Sequence, residues 1–460
     1  MRRPKLRFSF LAIPSLALLV SGCGGGNSIG HTTQTITFAN PGTQTAGTSQ
    51  TLSANASSDV AVTLTSATPG VCTVSGTAAA FVTAGTCTID ASQSGNSTYA
   101  AASPVAQSFT VNPAIGPNTT IYIAGYAMPA ANPPTFVNVA EVWKLGPGSP
   151  IATATALSMP SGMTSSQADA IAVSGNDVYV AGYAGNGTSQ VPVLWVNGAA
   201  TILPSTMTIS RAGPIAVSGG NVYVTGFEEN TAGDTTALLW VNGMATTLAP
   251  PSGKAYAGAF DIAVSGSDVY VTGIASNTDN DEVAVLWVNG VPTVLPAPSG
   301  LKGDYYAEGI ALSGGNVYVS GNSLPSVGNQ TALFWQNGGA ATTLPIPPND
   351  TTQGYGAGAT AILGNDVYVG GSGVSGATGN STAAYWLNGT ATSLPLPTNT
   401  IGSPATSFAA GIGFSGSDVY MVGSAAQYAV YWVNGGAGTL LPTPSGMASS
   451  NASAIAVVTQ

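Results

Sequence analysis

Asn176-Asp177-Val178-Tyr179-Val180-Ala181-Gly182, followed by Val193-Leu194-Trp195-Val196-Asn197-Gly198, decides the fold of this chain. Both phrases are short runs of β-formers. Asn-Gly between such runs predicts a two-residue hairpin, because a type I′ turn needs positive φ at both central residues. Upstream, Ile171-Ala172-Val173 enters through Ser174-Gly175-Asn176, and downstream lies Thr201-Ile202-Leu203-Pro204. The unit is therefore a four-stranded meander, with strands a to d in chain order. The unit recurs. All seven tryptophans hold one position in it: Trp143, Trp195, Trp240, Trp287, Trp335, Trp386 and Trp432. The tyrosine phrase recurs at Tyr122, Tyr179, Tyr223, Tyr270, Tyr318, Tyr368 and Tyr420, spaced by 57, 44, 47, 48, 50 and 52 residues. A β-rich period of this length predicts the blades of a propeller, here seven. The first repeat opens at strand b, Ile121-Tyr122-Ile123, and the chain ends on a copy of strand a, Ala454-Ile455-Ala456-Val457. The C-terminal strand is thus expected to complete the first blade and close the ring, which removes exposed sheet edges.

The fold class expected is all-β: a small sandwich, residues 33–113, followed by a seven-bladed propeller, residues 118–460. In the first unit about seven short strands in some 80 residues are separated by Gly, Pro, Asn and Ser. Asn112-Pro113-Ala114-Ile115-Gly116-Pro117 reads as the linker between them. Before both stands a segment outside the fold. Arg2, Arg3, Lys5 and Arg7 precede an apolar run from Phe8 to Val20, too short to span a bilayer and suited to a signal peptide over residues 1–22. Gly24-Gly25-Gly26-Asn27 makes residues 23–32 a flexible tether.

Charged residues are 6% of the chain. Four of the eight basic residues lie in the signal segment, leaving Lys144, Arg211, Lys254 and Lys302 against 18 acids, a net charge of −14. Nucleic acid is excluded as a partner, since phosphate contacts need Lys and Arg. Loose attachment to an anionic membrane is excluded for the same reason. Cys72 and Cys87 stand fifteen residues apart in an exported β-rich unit, where a disulfide is the default and a two-cysteine metal site the alternative. The single histidine, His31, lies in the tether.

Three resemblances add to this. Leu19-Val20-Ser21-Gly22-Cys23 resembles a bacterial lipobox, which implies lipidation of Cys23 and a membrane partner through that lipid. Gly rather than Asp after the cysteine implies outer-membrane sorting in a Gram-negative host, facing the periplasm or the cell surface. Thr-Pro-Gly-Val-Cys-Thr-Val-Ser-Gly at 68–76, with the phrases at 84–89 and 93–99, resembles a bacterial Ig-like repeat of exported surface proteins. That family implies a spacer or adhesive unit. The later repeats resemble kelch-type propellers, but the kelch double glycine is kept only at Gly370-Gly371. The departure bears on ligand mode rather than on blade geometry.

Function is harder to read. Short turns fall on one face of the propeller and long variable loops on the other, so the variable face is where binding is expected. Acids in its loops are Glu228, Glu229 and Asp234, then Asp279, Asp281 and Glu282, then Asp304 and Glu308. Tyr256, Phe260, Tyr305, Tyr306, Tyr355 and Phe408 stand nearby. Carboxylates beside aromatics suit a sugar, or a Ca²⁺ held by hard oxygen ligands. The bland reading is loop acids that keep a nearly uncharged protein soluble. Asp279-Asn280-Asp281-Glu282 lacks EF-hand spacing, so the calcium signal is weak and no cofactor or metal site is expected. The repeated Asp177, Asp268, Asp366 and Asp418, with Asn221 and Asn316, are expected to bond their own turns. The propeller has no His and no Cys, which removes Ser-His, Cys-His and His-zinc chemistry. The expectation is therefore a non-enzymatic module that presents a propeller face to a protein or glycan. The competing reading is a propeller hydrolase or lyase acting on extracellular polysaccharide, favoured by a carboxylate pair in a deep pocket.

Overall fold

The computed structural model describes residues 31–129, 137–147, 152–277, 281–298, 303–324, 329–348, 350, 354–374, 380–397 and 406–460. Cys23 and Asp279 lie outside them. Among the described residues every regular element is a strand, and no helix is long and apolar enough to cross a membrane. The protein is all-β and of propeller type.

The N-terminal unit holds a four-stranded, a three-stranded and a two-stranded sheet around Phe38, Leu52, Phe81, Ile89 and Phe109. Cys72 and Cys87 form a disulfide with Cα atoms 5.7 Å apart. It joins strand Cys72–Ser75 to strand Gly85–Ser92, which belong to different sheets. Both half-cystines are fully buried. The segment read as a linker is not a loose one. Ile115 is 3% exposed and packs with Ile121, Trp143 and Tyr420 in the core that follows.

The second unit is built of four-stranded antiparallel meanders. Five stand as separate sheets. The meanders beginning at Ser165 and at Ile209 share an eight-stranded sheet through a single parallel bridge, Gln190 to Ile209. The C-terminal strand Met447–Thr459 pairs antiparallel with Thr119–Pro129, placing Ile455 opposite Ile123. All seven tryptophans are fully buried. Each indole N–H donates to a backbone carbonyl of the segment that leaves the preceding meander, for example Trp195 to Ser158 O at 2.8 Å and Trp240 to Pro204 O at 2.8 Å. Trp143 reaches Pro442 O at 2.9 Å, so the first meander is tied to the last in the same way. One residue type therefore supplies a large apolar body and satisfies its own polar tip.

The Asn-Gly turns have the backbone they require: φ is 52° at Asn197 and 85° at Gly198. Their side chains do more than turn the chain. Asn197 Nδ2 donates to Asp177 Oδ1 at 2.7 Å and Asn197 Oδ1 accepts from Val178 N at 2.9 Å. The same clamp recurs between Asn242 and Asn221, Asn289 and Asp268, Asn337 and Asn316, Asn388 and Asp366, and Asn434 and Asp418. The repeated Asp and Asn residues thus bond the next turn across the sheet rather than their own backbone. The hairpin places the two turns side by side, so the neighbouring amide is the nearer donor.

Seven strands a carry a shared irregularity. Aligned, they read Gln-Ala-Asp-Ala-Ile (167–171), Arg-Ala-Gly-Pro-Ile (211–215), Gly-Ala-Phe-Asp-Ile (258–262), Tyr-Ala-Glu-Gly-Ile (306–310), Gly-Ala-Gly-Ala-Thr (356–360), Phe-Ala-Ala-Gly-Ile (408–412) and Asn-Ala-Ser-Ala-Ile (451–455). Each breaks register with strand b directly after its Ala. The bulge turns the carbonyl before the Ala onto strand b. An added Cβ at Gly182 would meet Gln167 O at 2.0 Å, and at Gly423 would meet Phe408 O at 1.8 Å. The repeated strand-b glycine is therefore a consequence of the bulge, which leaves no room for a side chain.

Candidate functional site

The bulges define the site. The residues that follow the common Ala are the ones that vary among the repeats, and they converge on one central cavity of about 330 Å³. All seven strands contribute to its wall. Four of them bring only small or apolar groups, among them Pro214, Ala359, Ala410 and Ser453. The other three bring carboxyls: Asp169, Asp261 and Glu308. A bulge leaves one residue out of the pairing ladder and re-aims its side chain, which is how an acid in an otherwise small and apolar strand comes to face a cavity.

Each carboxyl is half-buried and individually held. Asp169 Oδ1 accepts from Gln167 Nε2 at 2.8 Å. Asp261 accepts two backbone N–H groups, Ile262 at Oδ1 and Ile310 of the next meander at Oδ2, both at 2.8 Å. Burial pushes Asp169 up to about 7, against the pull of the Gln167 hydrogen bond and the Arg211 charge. Burial likewise pushes Asp261 up to about 7; its two N–H donors oppose this and the Glu308 charge adds to it. Glu308 is also raised by burial, opposed by a hydrogen bond from Asn322. Two carboxyls pushed up to about 7 and a third raised by burial, all lining one cavity, are groups suited to general acid–base catalysis.

The acids and aromatics singled out from the sequence are placed differently. Glu308 reaches the cavity, but from within strand Asp304–Ser313 rather than from a loop. Tyr256, Tyr305, Tyr306 and Tyr355 also lie in first strands, because pairing with strand b runs further out than the residue pattern indicates. Tyr305 and Tyr355 are 9% and 1% exposed, and Tyr355 packs edge-on against Trp386. Glu228 is 4% exposed and accepts from both the N–H and the hydroxyl of Thr206 at 2.8 Å, which fastens the incoming loop. Glu229 ends the same strand, Asn221–Glu229. Asp234 accepts from Asn230 Nδ2 at 2.8 Å and is hydrogen-bonded by Tyr256. Asp281 pairs with Lys254 at 2.7 Å. Tyr306 donates to Glu282, whose N–H donates to Asp304 Oδ1 at 3.2 Å. Several of these residues fasten loops and neighbouring meanders together, and Tyr306 lies within reach of the charges of Glu282, Asp304 and Glu308. Among the described residues no group of three or more His, Cys, Asp or Glu is arranged to hold a metal ion. Sequence reasoning missed Asp169 and Asp261. The signal available was an acid at one of the two positions after the common Ala, where most other repeats carry Gly, Ala, Ser or Pro.

No protein-family model and no curated protein matches the chain. Among solved structures it is similar to the extracellular domain of a one-component system from B. thetaiotaomicron, at 10% identity and a TM-score of 0.38, covering 65% of this chain. The match spans 37% of that protein. It is similar to the β-propeller domain of the trilobed protease from Pyrococcus furiosus, at 11% identity and a TM-score of 0.39, covering 72% of this chain and 96% of the other. A third is an exo-1,5-α-L-arabinanase from a bovine ruminal metagenomic library, at 11% identity and a TM-score of 0.31, covering 48% and 96%. At these scores the likenesses assign no activity to this chain. They do correct one expectation. The inference that the chain is not an enzyme rested on a propeller without His or Cys and without a motif for a carboxylate pair, yet the structures similar to it include an arabinanase and the propeller domain of a protease. The three carboxyls that converge on the central cavity stand against that inference as well.

Proposed function

We propose that the chain is an exported hydrolase of extracellular polysaccharide whose chemistry resides in the central cavity. One observation carries this reading: Asp169, Asp261 and Glu308 converge on a single cavity, with two of them pushed up to about 7. Glycoside cleavage needs one carboxyl that keeps its proton to give to the leaving oxygen. It needs a second, ionised, to activate water or attack the sugar. Asp261 and Glu308 feel each other's charge, so ionising one holds the proton on the other. In this reading the meanders are seven kelch-like blades closed by the C-terminal strand. The N-terminal unit is an Ig-like spacer. Cys23 carries the lipid that anchors the protein to the outer membrane, facing the periplasm or the cell surface. The periodic Trp and Tyr phrases, the pairing of Met447–Thr459 with Thr119–Pro129 and the buried disulfide support that arrangement.

The test is release of reducing ends from a panel of polysaccharides by the soluble chain, with Asp261→Asn and Glu308→Gln alongside. Activity that falls by about 10²-fold or more in each variant is expected. No activity on any polysaccharide, or variants as active as the parent, would overturn the reading.

A further inference from the structure

Arg211 stands out in a chain that has four basic residues and 18 acids beyond residue 22. The described cations are Lys144, Arg211 and Lys254. Lys254 pairs with Asp281, and Lys144 is exposed above the Tyr122 ring. Arg211 is half-buried, and no described carboxylate lies within ion-pair distance of it. It is nevertheless firmly placed. Its guanidinium carbon lies 4.6 Å from the centre of the Tyr183 ring and 6.0 Å from that of Phe227. Its Nε donates to Gln190 Oε1 at 2.7 Å. That leaves the Nη edge, the part of the fork matched to an oxyanion, with no acceptor among the described residues.

Gln190 and Tyr183 line a second cavity of about 340 Å³, together with Asn138, Ser165 and Thr188. Its wall sets hydrogen-bonding side chains, with Ile209 and two glycines, beside one aromatic ring, a composition suited to a saccharide. A chain of hydrogen bonds links it to the central cavity. Asn138 Nδ2 and the Tyr183 hydroxyl both donate to Gln167 Oε1, at 3.2 and 3.1 Å, and Gln167 Nε2 donates to Asp169. The Asp169 carboxyl feels the Arg211 charge but lies beyond ion-pair distance, so the half-buried guanidinium is only partly compensated in the empty protein. It becomes favourable when a ligand supplies the anion.

We infer that Arg211 is a specificity residue for an oxyanion-bearing saccharide, a uronate or a sulfated sugar, whose charged group lies against its Nη edge while the sugar occupies the cavity lined by Tyr183 and Gln190. Where the ligand is also the polymer that is cleaved, this rests on the hydrolase reading; the binding itself does not.

The test is therefore read by binding, not by turnover. Isothermal titration of the soluble chain would use three probes: a trigalacturonate, a sulfated disaccharide and a neutral cello-oligosaccharide. Binding of one or both charged probes, with the neutral one at least about 10-fold weaker, is expected. Arg211→Gln should weaken the charged probe by about 10- to 100-fold, the range for hydrogen bonds to charged groups. Arg211→Lys, which keeps the charge and loses the fork, should fall between. Parent-like tryptophan fluorescence and melting in both variants shows that the fold is intact. Tyr183→Phe, which keeps the ring beneath the guanidinium, should retain charge selectivity and serves if Arg211→Gln does not fold. Equal affinity for charged and neutral probes, or a charged probe held as well by Arg211→Gln as by the parent, would overturn the inference. Binding as expected with no polysaccharide cleaved would sink the hydrolase reading alone.

Discussion

Asp169→Asn should make the protein more stable at alkaline pH and leave it unchanged at acid pH. The substitution removes the charge while keeping Oδ1 as acceptor for Gln167 Nε2. In the folded chain the carboxyl is raised from 3.8 to about 7. Its folded value therefore lies above its unfolded one, and between about pH 4 and 7 the native state binds the extra proton. The sign follows: stability from this group is fully present below about pH 4 and is lost as pH rises through about 7. Three pH units at about 1.4 kcal/mol each set a ceiling of about 4 kcal/mol above pH 8. Solvent screening lowers this for a half-buried group, so a gain of about 1–3 kcal/mol is expected. Urea unfolding followed by tryptophan fluorescence reads it, since all seven indoles are buried in the propeller unit. Parent and variant are compared at pH 4 and pH 8.5, so that other titrating groups cancel in the difference. A variant that is less stable at pH 8.5, or that gains equally at both pH values, would refute the claim that the cavity disfavours the charged carboxylate.

Three further outcomes follow from the fold. Glu141 is 2% exposed, its Oε2 has no hydrogen-bond partner among the described residues, and burial raises it from 4.5 to about 7, where equivalent positions carry Val193 and Val285. By the same sign, Glu141→Val should raise stability by about 3 kcal/mol at pH 8 and by less at pH 4, read by denaturant midpoint. Gly182→Ala sets a Cβ 2.0 Å from Gln167 O and should destabilise by more than about 3 kcal/mol, because a backbone carbonyl yields less than a side chain. A parent-like melting temperature would show that the bulge is not fixed there. Cys72→Ser should lower the stability of the N-terminal unit by about 3 kcal/mol, the entropy of a fifteen-residue loop, while the tryptophan transition stays in place. A coincident loss of both transitions would mean the two units unfold together, through Ile115.

The sequence by itself determined whatever is settled between near neighbours along the chain. Asn-Gly at 197–198 dictates its hairpin, because so few residues accept that backbone. The Trp and Tyr phrases give the meander and its repeat because each occurrence repeats one local problem, a buried strand beside a tight turn. The strand-b glycine is legible as a repeat, but its reason is not. Only the paired structure reveals the carbonyl of Gln167 or Phe408 that fills the space of its Cβ. The convergence of the site belonged to tertiary structure. Asp169, Asp261 and Glu308 lie 92 and 47 residues apart and never appear together in sequence. Glu308 reads as a loop acid because a bulge breaks the two-residue alternation by which the facing of a strand residue is inferred. The direction of each side chain is fixed when the register slips, and the cavity exists only where seven such slips meet.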